Sequence, residues 1–156
     1  MVGEPDRLEI YTDGACAGNG VRPRAPGGWS AVFSDGRRLS GGEPATTNQR
    51  MELTAAIQAL RAVPEGAAAT VYSDSAYLIN AFADDWFSGW IRRGWRNSKN
   101  EPVANRDLWE ELLALSRRRD VQWRKVRGHA GQHGNVLADR LAVEAARQVA
   151  AAQPSG

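Results

Sequence analysis

Four acidic side chains stand where carboxylates could do chemistry together. Asp13 follows the alternating stretch Leu8 to Tyr11 and is followed by Gly14, while Asp74 follows a second stretch, Ala69 to Ser73. If those two stretches are neighbouring parallel strands, their ends bring two carboxylates together, an arrangement that is costly unless a cation lies between them. Glu52 falls in the first turn of a predicted helix, and Asp139 falls inside the last one, four residues after Asn135. Oxygen donors without histidines or thiols suit hard divalent cations such as Mg²⁺. Taken singly, each acid has an ordinary reading. Asp-Gly begins turns, a first-turn acid answers the helix dipole, and most helix glutamates are surface residues.

The elements that must carry these acids are readable from periodicity. Leu8 and Ile10 alternate with Glu9 and Tyr11, which predicts a strand. Gly20–Gly28, rich in Gly, Pro and Arg, reads as a loop. Trp29–Phe33 and Arg38–Gly42 flank Ser34-Asp35-Gly36-Arg37, a hairpin signal, so the first three strands form an antiparallel meander. Thr46 with Gln49 matches a capping box, and Pro64 stops the helix that follows. Met51, Ala55 and Leu60 face the core there, with Glu52 at the boundary. Ala69–Ser73 is the fourth strand, returned parallel to the first by a right-handed crossover, and Ser75–Ala81 is a short helix. Asn105 caps a helix over Arg106–Arg117, with Leu108, Leu112 and Leu115 inward. Val121, Trp123 and Lys125 belong to a fifth strand. A glycine-rich loop, Gly128–Gly134, leads to a last helix, Asn135–Ala151, which packs through Leu137, Leu141, Ala145 and Val149. The class is α/β.

The chain has 156 residues, enough for one domain with a core over about residues 7–150. No apolar run is long enough to span a bilayer, the amino terminus is polar and unlike a signal peptide, and the single cysteine, Cys16, excludes an internal disulfide. A cytoplasmic protein with no membrane partner is expected. The net charge of +2 is mildly basic, but arginines cluster at Arg92–Arg96, Arg117–Arg119 and Arg124–Arg127, which permits a polyanionic partner. The segment Asp85–Lys99 carries Trp86, Trp90 and Trp95 among four basic residues. Trp86 and Trp90 are one helical turn apart, a spacing equally suited to core packing and to gripping nucleic-acid sugars.

In order, the stretches YTDGACAGNG, TTNQRMELTAAI, VYSDSAY, RRGW and VRGHAGQHGNVLADRLA resemble the successive motifs of the type 1 ribonuclease H of bacteria, from about Leu8 to Ala146. The resemblance implies a five-stranded mixed sheet of order 3-2-1-4-5 flanked by helices. It implies hydrolysis of the RNA strand of RNA/DNA hybrids with two Mg²⁺ ions, Mn²⁺ being a substitute, on Asp13, Glu52, Asp74 and Asp139. His129 matches the family's flexible-loop histidine, with Asn135 beside the last acid. Asn19, Asn48 and Gln49 match residues that contact the RNA strand, and Tyr77, Trp86, Trp90 and Ser98 those of the DNA-strand channel. Arg92 and Arg93 belong to the basic part of that segment, and Thr47 and Asn105 match a pocket for a DNA phosphate. Departures are a longer first loop with Arg22 and Arg24, Ala45 in place of a phosphate-pocket arginine, and Ile91 where lysine is common. A monomer acting on hybrid duplex is the expectation; a related metal-dependent nuclease of the same fold, or a hybrid-binding protein without activity, is the alternative.

Overall fold

The computed structural model describes residues 7–17, 24–126 and 133–152. Among these, β1 (Leu8–Cys16), β2 (Ala25–Phe33) and β3 (Arg38–Thr46) form the expected antiparallel meander. The β2–β3 turn closes with Phe33 N–H donating to the Arg37 carbonyl at 2.9 Å. Helix α1 (Asn48–Arg61) crosses over to β4 (Ala68–Ser73), which pairs parallel to β1. Three helices follow, α2 (Ala76–Ala83), α3 (Trp86–Arg92) and α4 (Arg106–Arg117), before β5 (Asp120–Lys125) adds parallel to β4. Helix α5 (His133–Ala152) ends the described chain. The sheet order is β3-β2-β1-β4-β5, as the resemblance implied.

Two apolar clusters fill the molecule. Leu53, Ile57 and Leu60 of α1 pack with Val71, Leu78, Trp90, Trp109 and Leu112 on one side. A smaller group around Ile10, Phe33, Ala59 and Val63 lies on the same helix nearer its end. The α4 core is Trp109 and Leu112, with Leu108 and Leu115 only partly buried, because the indole of Trp109 fills the space the aliphatic spacing alone would give to leucines.

Several boundaries differ from the sequence reading. The stretch read as a loop to Gly28 already belongs to β2 from Ala25. Its glycines are there for close packing: a Cβ on Gly28 would lie 2.3 Å from the Ala142 carbonyl oxygen and 2.5 Å from Ala146 N of α5. For the same reason α5 buries Ala138, Ala142, Ala145 and Ala146, while Leu137, Leu141 and Val149 stay half-buried. Backbones this close leave room for methyl groups and nothing longer. The helix cap also moves. Thr46 is the last residue of β3, paired with Ala25 and fully buried, its hydroxyl without a partner among the described residues, and Thr47 caps α1 by accepting from Arg50 N at 3.1 Å. Helix α1 therefore starts at Asn48 and has no acid in its first turn; Glu52 is its fifth residue. Asn105 stands at the N-cap of α4 but its side chain does not cap. Its backbone is left-handed (φ 61°), and its carbonyl accepts from Leu108 N and Trp109 N at 3.0 Å each.

Candidate active site

Strand β1 runs on to Cys16, paired with β2, so Asp13 lies within a strand opposite Ser30 and not at its end. What ends before Asp13 is the ladder to β4, whose last parallel pair is Tyr11–Tyr72. Beyond it the two strands part, and Asp74, one residue past β4, faces the same gap. Glu52 enters from α1, which sits directly on β1. A Cβ on Gly14 would stand 2.5 Å from Glu52 N and 2.6 Å from Met51 C, so only glycine after Asp13 lets the helix come this close.

Asp13, Glu52 and Asp74 each offer an oxygen, and these atoms lie within 4.8 Å of one another. Asp139 stands outside that close trio and approaches Asp13 from α5, near enough to raise its pKa. The turn of α5 that carries it is tied to the sheet by Ser30, whose hydroxyl donates to the Ala138 carbonyl at 2.5 Å. Sequence reading missed Ser30. Its signal was a hydroxyl between Trp29 and Ala31 in an otherwise apolar strand, at a position that proves fully buried.

The electrostatics say what this arrangement lacks. Asp13 is 4% exposed, and burial together with the charge of Asp74 pushes its carboxyl up to about 8. Burial and then Asp13 and Asp74 raise Glu52 well above the usual carboxylate range. One oxygen of Glu52 is buried without a hydrogen-bond partner among the described residues. Three carboxylates that repel and an orphaned oxygen, with no histidine or cysteine in the cluster among the described residues, fit one or more hard divalent cations.

A model of the ribonuclease H family matches residues 5–147. Curated ribonucleases H are 54% identical over 138 residues in Moorella thermoacetica, covering 86% of this chain and 88% of the relative, and 46% identical in Chromohalobacter salexigens, covering 97% and 91%. The chain belongs to the ribonuclease H family. Among solved structures, a type 1 ribonuclease H with the type 2 active-site motif, LC9-RNase H1, superposes with a TM-score of 0.79 at 32% identity, covering 95% of this chain and 75% of that one. The N-terminal ribonuclease H domain of a Mycobacterium tuberculosis protein shares the fold, with a TM-score of 0.69 at 22% identity over 93% of this chain and 96% of the other. Ribonucleases H are nucleases that use divalent metal ions and hydrolyse RNA in hybrids, and this chain is such an enzyme.

Most of the other residues that the family resemblance singled out fall into separate groups among the described residues. Asn48 and Gln49 are exposed at the start of α1. Trp86, Trp90, Arg92, Arg93 and Ser98 line one open cavity of about 580 Å³, and Tyr77 meets Trp86 with ring centroids 6.0 Å apart. Trp90 is 8% exposed within the main core, so it packs and lines the cavity at once. The tyrosine is fixed from behind by Trp109 Nε1, which donates to its hydroxyl at 3.0 Å. Thr47 and Asn105 are joined through Arg50, whose backbone N–H donates to the threonine and whose guanidinium donates to Asn105 Oδ1 at 3.3 Å and to Asp107 at 2.8 Å. Sequence reading gave Arg50 no role. Asn135 is half-buried one turn before Asp139. Asn19 and His129 lie outside the described residues.

Proposed function

We propose that this enzyme cleaves the RNA strand of RNA/DNA hybrids with Mg²⁺ held by Asp13, Glu52, Asp74 and Asp139, leaving 5′-phosphate and 3′-hydroxyl ends. One observation carries the assignment of the site: buried Asp13, half-buried Glu52 and exposed Asp74 converge, and one Glu52 oxygen has no hydrogen-bond partner among the described residues. Bound divalent cations would supply Lewis acidity there, activating water and neutralising charge on the leaving 3′-oxygen, with Mn²⁺ as a substitute. The protein's own part is to hold four acids close together around one phosphodiester, where a bound cation would offset the burial and repulsion that raise Asp13 and Glu52. Asp13, reached by every other acid, is the natural shared ligand. His129 supplies proton transfer or helps product leave. Asn48, Gln49 and Asn19 read 2′-hydroxyls, which amides meet as donors and acceptors. Tyr77, Trp86, Trp90 and Ser98, with Arg92 and Arg93, take the DNA strand, and Thr47 and Asn105 take one of its phosphates. Asn135 assists beside Asp139.

All five strands share one sheet, which supports a single domain, here read as a monomer. No helix among the described residues is long and apolar enough to cross a membrane; a cytoplasmic site of action is part of this proposal. The test is cleavage of a labelled RNA/DNA hybrid beside RNA duplex and single-stranded RNA, each with and without Mg²⁺. Cleavage of the hybrid alone, and only with metal, is expected. Equal cleavage of RNA duplex would overturn the substrate assignment.

A further inference from the structure

The outer face of α5 is unlike the faces that pack. His133, Val136, Arg140, Val143 and Arg147 follow one another at spacings of three and four, so they form a single stripe along the helix. Val136 and Val143 are 48% and 37% exposed, two of the few large apolar side chains left in water. Arg140 and Arg147 are exposed, and neither has an ion pair or hydrogen bond among the described residues. Glu144 lies at the margin of the stripe and pairs with neither arginine. The stripe is also continuous with the acid centre. Arg140 follows Asp139 directly, and Val143 is one turn further on.

At Val143 and Arg147 the stripe meets the end of β1, where Ala15, Cys16, Ala17 and Ala146 complete a recess of about 130 Å³. The recess is small and open to solvent, of a size for a sugar ring rather than a base pair. Its lining is mostly aliphatic, and the Cys16 thiol has the Ala25 and Thr46 carbonyls at 3.4 and 3.5 Å, either of which can accept its one proton. The recess begins two residues past Asp13. The strand whose phosphate reaches the acids must leave them on one side or the other, and this is a path with apolar seats for sugars and free guanidinium groups for phosphates.

We propose that the α5 stripe and the Ala15–Ala17 recess bind the RNA strand on one side of the cleaved bond, a ribose resting against Val143 and Ala146 with Arg140 and Arg147 on flanking phosphates. This rests on the hybrid-cleaving reading above. The two arginines are seven residues apart, about 10 Å along the helix at 1.5 Å per residue, so they address separate phosphates of one backbone. Arg92 and Arg93 sit on the other strand's segment and cannot substitute for them.

The experiment compares wild type with Arg140→Gln/Arg147→Gln. Hybrid affinity is measured over a salt series in Ca²⁺, and Mg²⁺-dependent cleavage is measured on hybrids shortened one nucleotide at a time from each end of the RNA. The double variant should flatten the slope of log K against log salt by up to about 0.9 for each lost phosphate contact. Its cleavage should match wild type on short hybrids and fall behind only when the RNA is extended at one end. Val143→Asp, which keeps both arginines, should show the same one-ended defect through the recess. An unchanged salt slope with no length-dependent difference overturns the proposal while leaving wild-type cleavage intact; a defect of equal size at both ends also overturns it. Failure of wild type to cleave any hybrid would instead remove the underlying activity.

Discussion

Asp13, Glu52, Asp74 and Asp139 come from four separate parts of the chain, whereas Trp86, Trp90, Trp95 and their neighbouring arginines come from one stretch of it. The acids converge because backbones touch: α1 lies against Gly14, and α5 lies against Gly28 and is tied by Ser30. The tryptophan segment is built from side chains. Trp90 contacts Trp86, Phe87, Trp95 and Trp109 with centroids 5.4 to 5.9 Å apart, and the guanidinium of Arg92 is left in solvent. Charge is therefore concentrated in one region, where Asp13 and Glu52 are withdrawn from water, and spread out and solvated in the other. The first should respond to single-atom changes in geometry and ionisation, the second to salt.

The sharpest contrast is Asp13→Asn. It should lower Mg²⁺-dependent hybrid cleavage by at least about 10³-fold, the several kcal/mol that metal charge stabilisation contributes, while the metal-free protein melts at the same or a higher temperature. Near-normal cleavage by this variant would remove the acid centre from the reaction. Gly14→Ala tests the close approach itself. It should displace α1 and Glu52 and reduce turnover by about 10²-fold, the scale of a 1 Å misplacement, with the hybrid salt slope unchanged. Wild-type turnover in Gly14→Ala would mean that the fit of helix on strand is not what sets the site.

Within the tryptophan segment, Trp90→Ala should cost about 3–5 kcal/mol of stability by denaturant unfolding, as for a buried aromatic. A loss below about 1 kcal/mol would assign Trp90 to the surface. The centre should carry a pH signature that the segment lacks. Below pH about 4 Asp13 is protonated both folded and unfolded. Between about 4 and its folded value of about 8 only the unfolded chain releases the proton, so this group makes the metal-free protein less stable as pH rises across that window. Thermal melts in a chelator should show the decline, and Asp13→Asn should flatten it. The smallest effect belongs to Arg92→Ala/Arg93→Ala, expected to flatten the hybrid salt slope by up to about one unit per lost phosphate contact and to leave the melting temperature nearly unchanged. An unaltered slope would take the two arginines out of the interface.

The periodicity of Leu8–Tyr11, the Asp-Gly hairpin between Phe33 and Arg38, and the helix ended before Pro64 are local patterns, and local sterics and burial suffice to make them legible. The four acids as a set were not legible in that way: singly each has an ordinary reading, and only the order of the motifs, through the family resemblance, named them together. What the tertiary structure decided depends on partners distant in sequence. Gly27 and Gly28 look like loop residues until a helix is laid on them, and α5 presents its alanines inward only because that helix is so near. Thr47 caps α1 in place of Thr46 because β3 keeps Thr46 in the sheet, paired with Ala25. Trp90 was undecided by spacing, since an indole one turn from another suits a core and a channel alike, and it is the surrounding rings that bury it. The raised Asp13 carboxyl is equally invisible in the chain. It arises where β1 and β4 part beyond Tyr11 and Tyr72, burying Asp13 and bringing Asp74 beside it.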